Sequence, residues 1–126
     1  MTNNTNIDKK SDKELVLNKA VLNAADILGI TQETLARIIG LSPTSISRMK
    51  KGSSIIKETQ KEWQLAVAFI RVYRSLVGVL GNDEKAMKSW LLNENKHFKG
   101  QKPINLIQDA LGIGEVINYL DWARGH

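Results

Sequence analysis

The chain has 126 residues, carries 18 Lys and Arg against 13 Asp and Glu for a net charge of +5, and contains no cysteine. That length allows one compact domain, or two small ones sharing a core, and excludes a multidomain enzyme; the lack of cysteine excludes disulfide frameworks and thiolate metal sites. With 42% apolar and 25% charged residues, the composition is that of a chain that folds, neither disordered in bulk nor a membrane protein.

Residues 1–11, MTNNTNIDKKS, lack apolar periodicity and are expected to form a flexible tail. They also lack the apolar core of a secretory signal, so a cytoplasmic location is expected. From Asp12 onward Leu15, Val16, Ala20, Leu22, Ala25, Ile27 and Leu28 recur at helical spacing, with Ser11 or Asp12 to cap the start and Gly29 to end the run. Thr31 is a good N-cap for a short second helix, with Glu33 in its first turn and Leu35, Ala36, Ile38 and Ile39 as its apolar face before Gly40. Ser42 caps a third helix opened by Pro43, whose missing N–H costs nothing there, running to Lys51 and closed by Gly52.

After the polar junction GSSIIKETQ, residues 63–80 are apolar over most of a helical circumference, which fits a central core helix or part of an oligomer interface. The stretch is too polar and too short to span a bilayer comfortably. Asn82 or Asp83 caps a helix through Trp90 to Leu92, NENKHFKGQKP reads as a loop, and residues 103–111 and 114–123 read as two further short helices. The Gly-Ile-Gly at 112–114 lacks the strand before it and the Lys-Ser/Thr after it that a phosphate loop needs, so it is read as a helix end and a new start. No strand-like alternation occurs. The expected fold is all-α: a flexible tail at 1–11, a helix-turn-helix bundle at 12–61, and at 62–126 a long core helix followed by a small helical C-terminal domain for dimerisation and protein binding.

The charge is local. Residues 1–80 hold 12 basic and 7 acidic side chains, whereas residues 81–126 hold 6 of each. Arg48, Lys50, Lys51, Lys57 and Lys61 fall in a stretch whose only acid is Glu58. Alone this is a solvated face; beside a DNA-reading motif it is a phosphate-binding one.

Such a motif lies next to it. Counted from Gln32, the segment QETLARIIGLSPTSISRMKK has Leu35 and Ala36 in the fourth and fifth places, Gly40 and Leu41 in the ninth and tenth, and Ile46 and Met49 in the fifteenth and eighteenth. Two helices that cross closely need a small residue at Ala36 and a residue free to take positive φ at Gly40, while Leu35, Leu41, Ile46 and Met49 wedge the crossing open. With Ile46 and Met49 inward, Thr44, Ser45, Ser47, Arg48 and Lys51 turn outward, where hydroxyls and a bidentate guanidinium read base edges in the major groove. Gln32, Lys50, Lys51 and Lys57 are the candidate phosphate contacts.

The C-terminal half offers no catalytic grouping, no metal-ligand spacing and no cofactor motif, so no enzyme activity, metal or cofactor is expected; His97 and His126 are read as solvent-exposed. Trp63, Trp90 and Trp122 are read as core or interface anchors.

Through T31-Q-E-T-L-A36, G40-L-S42, I46-S-R48 and Gly52, the first half resembles the Xre-type, lambda-repressor-like family; it departs at Lys50, where many members carry an acid. Through Ala86, Trp90-Leu91, Phe98 with Gly100, Lys102-Pro103-Ile104, Leu106-Ile107, Gly112, Val116, Leu120 and Gly125, the second half resembles the C-terminal toxin-binding domain of Xre/MbcA/ParS antitoxins. It departs at Phe98, where a leucine is common, and at Arg124, where a histidine is frequent. The resemblance implies an antitoxin whose dimers bind their own promoter and whose C-terminal domain holds a RES-domain toxin, an enzyme that consumes NAD or transfers ADP-ribose from it. The tail from Asp121 to His126 would then lie near the entrance of the toxin's active site, with Tyr119, Trp122, Arg124, Gly125 and His126 as toxin contacts. Trp122 supplies an aromatic anchor and Arg124 a charge-assisted partner; the alternative is that Tyr119, Leu120 and Trp122 finish the domain's own core, the expected role for Leu120. The long helix at 63–80 is the expected dimer contact, and two recognition helices would meet half-sites about one helical turn apart. Two other readings stay open: a stand-alone repressor, and an interaction module whose helix-turn-helix no longer binds DNA.

Overall fold

The computed structural model describes the backbone of residues 2–125 and the side chains of residues 12–125. Among the described residues there are seven α-helices and no strand beyond one isolated bridge between Asn95 and Gln101. In chain order they are α1 (Thr2–Ile27), α2 (Gln32–Ile39), α3 (Pro43–Lys50), α4 (Glu62–Leu80), α5 (Glu84–Leu92), α6 (Pro103–Leu106) and α7 (Ala110–Gly125), with a 3₁₀ turn at Lys96–Phe98 in the expected loop.

The helix starts follow from their caps. The side chain of Thr31 accepts from the N–H of Thr34 at 3.1 Å, that of Ser42 from Ser45 at 3.1 Å, and that of Asp83 from Ala86 at 3.0 Å. Gly40 takes φ of +86°, and the N–H groups of Gly40 and Leu41 both donate to the carbonyl of Ala36, closing α2 as the sequence predicts. Lys51 is the C-cap of α3 rather than its last helical residue, one residue short of the expected end.

Two expectations for α1 are corrected. Its backbone is helical from Thr2, ahead of the start expected at Ser11 or Asp12; no proline or glycine interrupts the run, so the helix propagates backward at one hydrogen bond per residue. Its buried face is the expected one only in its C-terminal half, where Ala25 and Leu28 are buried and Leu22 and Ile27 pack against the core. Glu14, Asn18, Val21, Ala25 and Leu28 point inward, while Leu15 and Val16 stay 50% and 69% exposed. The reason is the loop after α3. Asn18 donates to the carbonyls of Glu14 (2.8 Å) and Ile56 (3.0 Å) and accepts from the N–H of Ile56 (2.8 Å), and a Glu14 carboxylate oxygen accepts from the N–H of Glu58 at 2.8 Å. Two polar side chains face inward because they satisfy backbone groups that burial would otherwise leave unpaired.

Helix α4 is the centre of the fold. By length and composition it could cross a membrane, with a mean hydropathy of 1.3, which the sequence reading had set aside. Here it buries Trp63, Ala66, Phe69, Val72, Ser75 and Leu76 against α1 and α2 on one side and α7 on the other. Each large apolar side chain taken from water contributes about 1.5–3 kcal/mol.

The C-terminal helices also depart from expectation. Helix α6 ends at Leu106, and α7 runs unbroken from Ala110 through Gly112 and Gly114 instead of restarting there. Asp109 caps α7 by accepting from the N–H of Gly112 at 2.8 Å. A Cβ at Gly112 would overlap the carbonyl of Leu106, whereas one at Gly114 would meet nothing within 4 Å. Gly112 is therefore a close approach between α6 and α7, not a break.

Candidate functional site

Helices α2 and α3 form the corner that the spacing predicts, with Leu35, Ala36, Ile46 and Met49 buried and Leu41 half-buried between them. On α3, Thr44, Arg48 and Lys51 are exposed, while Ser45 and Ser47 are half-buried. The Ser45 hydroxyl lies 3.0 Å from that of Ser42, so it is engaged at the helix start. Ser47 and Arg48 lie three and four residues after Thr44 and four and three before Lys51, so the four share a face.

Lys50 donates to the side-chain oxygen of Gln32 at 3.2 Å, which joins two candidate phosphate contacts from the end of α3 and the start of α2. Lys50 and Lys51 edge a groove of about 560 Å³ between α1 and α3. Lys57 stands apart in the loop before α4, its N–H donating to Gln60. The one acid of this basic stretch, Glu58, is paired with Lys13 of α1. Among the described residues none of Arg48, Lys50, Lys51, Lys57 and Lys61 forms an ion pair. Five uncompensated cations beside an exposed helix are suited to phosphate neutralisation.

The second site lies on α7. Leu120 is buried, as expected, at 1% exposure. Tyr119 is half-buried, stacked on Trp90 at 6.2 Å with the ring planes 15° apart, edge-on to Phe98 at 5.4 Å, and covered by His97 at 4.2 Å. Trp122 tilts over Tyr119 at 5.9 Å and keeps 62% of its surface exposed. His97, Phe98, Tyr119 and Trp122, with Glu115 and Asn118, line a groove of about 310 Å³. Arg124 does not join them. It lies across Gly78 of α4 and pairs at 3.7 Å with Asp121, which accepts from Arg71 at 2.8 Å and from Ser75 at 3.4 Å. Residues 122 and 124 are about 200° apart around a helix, so the predicted contacts fall on two faces. Gly125 is exposed at the helix end, and His126 lies outside the described residues.

His97, Glu115 and Asn118 are site residues that the sequence reading passed over. Glu115, Asn118 and Trp122 fall at i, i+3 and i+7 on α7, all within the helix expected at 114–123; the expected break at Gly112–Gly114 hid only Leu111, 84% exposed, which the unbroken helix adds to the same stripe.

Residues 10–71 match the family model of the antitoxin Xre-like helix-turn-helix domain, and residues 75–125 match that of the antitoxin Xre/MbcA/ParS C-terminal toxin-binding domain. The chain belongs to the Xre/MbcA/ParS antitoxin family. It is an antitoxin-type protein rather than an enzyme. The mycobacterial cidal antitoxins MbcA of Mycobacterium tuberculosis and Mycobacterium bovis are each 28% identical to it over 95 residues, covering 75% of this chain and 80% of theirs. The crystal structure of the M. tuberculosis MbcT-MbcA toxin-antitoxin complex contains a chain that matches this antitoxin with a TM-score of 0.64 and 26% identity, over 87% of this chain and 96% of that one. The two family matches meet inside α4, between residues 71 and 75, although sequence reading divides the chain at 61 and 62. The exposed face with Trp122 belongs to the toxin-binding domain, and the cationic face of α3 to the helix-turn-helix domain.

Proposed function

We propose that this antitoxin neutralises a RES-domain, NAD-consuming toxin by direct contact near its active site, and that it represses its own operon by binding promoter DNA as a dimer in the cytoplasm. The observation that carries the first part is the indole of Trp122, 62% exposed at the end of a well-packed helix. A large aromatic left in water beside a lined groove is the kind of anchor that dominates interfaces. In this reading Tyr119 supports Trp122 from below, Gly125 and His126 are further toxin contacts, and Arg124 serves the α4 contact. The complex known for MbcA supports a toxin partner.

The test is Trp122→Ala, co-expressed with the toxin encoded by the neighbouring reading frame. Truncation before Tyr119 would also remove Leu120 from the core, whereas Trp122→Ala leaves the core intact. Loss of neutralisation with an unchanged melting temperature supports the reading; full neutralisation by the variant refutes it.

For the DNA part, Thr44, Ser47 and Arg48 read bases, with Ser45 setting the helix start, and Gln32, Lys50, Lys51 and Lys57 hold phosphates. Dimerisation has a narrower place than the whole of α4, because Trp63, Ala66, Phe69, Val72, Ser75 and Leu76 of that helix are buried in the core. The outward residues Ile70 and Tyr73 line an apolar groove of about 450 Å³ with Val16, Leu17 and Ala20 of α1, and a second copy docks there in this reading. Val16→Asp, followed by sedimentation, is expected to give monomers; an unchanged dimer places the contact elsewhere.

A further inference from the structure

The groove on the outer face of α7 has a definite chemistry. Its walls are Tyr119, held between Trp90 and His97, and the exposed indole of Trp122, with His97 and Phe98 at one end. Glu115 stands one turn before Tyr119, and Asn118 one turn before Trp122. Glu115 is the only carboxylate lining the groove, it is exposed, and among the described residues it forms no ion pair. Lys96, which opens the adjacent 3₁₀ turn, and Lys99, which caps it, do not line this groove; Lys99 shares a neighbouring groove of about 250 Å³ with Glu115 but does not pair with it.

Aromatic faces beside an unpaired carboxylate select among possible occupants. An anion is repelled by Glu115. An aliphatic side chain would strip water from Glu115 and Asn118 without replacing their hydrogen bonds. A compact ammonium satisfies the charge but is strongly hydrated and cannot lie flat on a ring. A guanidinium does both: its plane stacks on an indole or phenol face, and its N–H groups pair with a carboxylate in a fixed fork. We propose that this groove accepts an arginine side chain of the toxin, with the guanidinium on the open face of Trp122 and donating to Glu115. This rests on the reading of α7 as the toxin-binding face.

The probe is N-acetyl-arginine amide, titrated into the full chain while the indole N–H of Trp122 and the backbone N–H groups of residues 115–122 are followed by NMR. A saturable shift centred on these residues is expected in the millimolar range, about fivefold weaker for N-acetyl-lysine amide and for Glu115→Gln. No saturable shift, or equal affinity for the two amides, overturns the proposal. Glu115 is exposed, so Glu115→Gln and Glu115→Lys leave the fold intact. Co-purification with the toxin then separates the two readings. Loss of toxin in Trp122→Ala with full retention in Glu115→Lys overturns the arginine contact and leaves the docking face standing; retention by both variants overturns both; loss in both supports both.

Discussion

Gly112 and Gly114 lie two residues apart in the same helix, yet the fold gives them opposite responses to a methyl group. In Gly112→Ala the new Cβ collides with the Leu106 carbonyl, a backbone group that cannot rotate away, so α6 has to move off α7. Overpacking costs about 1–3 kcal/mol, with a backbone obstacle at the upper end. The gain in helix propensity, at most about 1 kcal/mol and smaller in the first turn, offsets part of that. A net loss of about 2 kcal/mol lowers the melting temperature by about 8 °C in a domain of this size. At Gly114 a Cβ meets nothing within 4 Å, so only propensity acts, and Gly114→Ala raises the melting temperature by about 4 °C. Thermal melts followed by circular dichroism measure both. Equal shifts in the two variants, or a Gly112→Ala protein as stable as the parent, would refute the close packing of α6 on α7.

Asn18→Ala removes both partners of the buried Ile56 peptide groups and is expected to cost about 3 kcal/mol in urea unfolding; a loss below about 1 kcal/mol would mean that the loop does not depend on this anchor. Arg48→Ala at fixed salt should weaken operator binding by about 10- to 100-fold and relax specificity at one position. Lys51→Ala should instead weaken binding to all sequences and reduce the salt slope by about one; identical behaviour of the two variants would remove Arg48 from the base-reading role.

The helix-turn-helix was legible because its determinants are local. Thr31, Ser42, Pro43 and Gly40 act through groups within four residues, so their types announce the caps and the turn directly. What the sequence hid depends on distant partners. Glu14 and Asn18 look like solvent-facing positions until the loop at 56–58 is laid against them, and their inward turn is what leaves Leu15 and Val16 in water. Gly112 has the composition of a helix break, and only the approach of α6 shows why it is small. The α7 site was half legible: the residue types of Trp122 and Arg124 suggested contacts, but their separation onto two faces follows from a single continuous helix whose inner side is fixed by Asp121 on Arg71 and Ser75.

Helix α4 gives its first turns to the helix-turn-helix domain and its last to the C-terminal toxin-binding domain, with no linker between them. A second tie crosses the same seam, where Arg37 of α2 donates to Gln108 in the turn before α7 at 2.7 Å. The molecule is thus a bracket rather than a tether: under the proposed function, a toxin on α7 and a duplex on α3 would be held at one bearing and one distance. Whatever grows on α7 must therefore clear, or meet, the DNA beside the operator by shape alone.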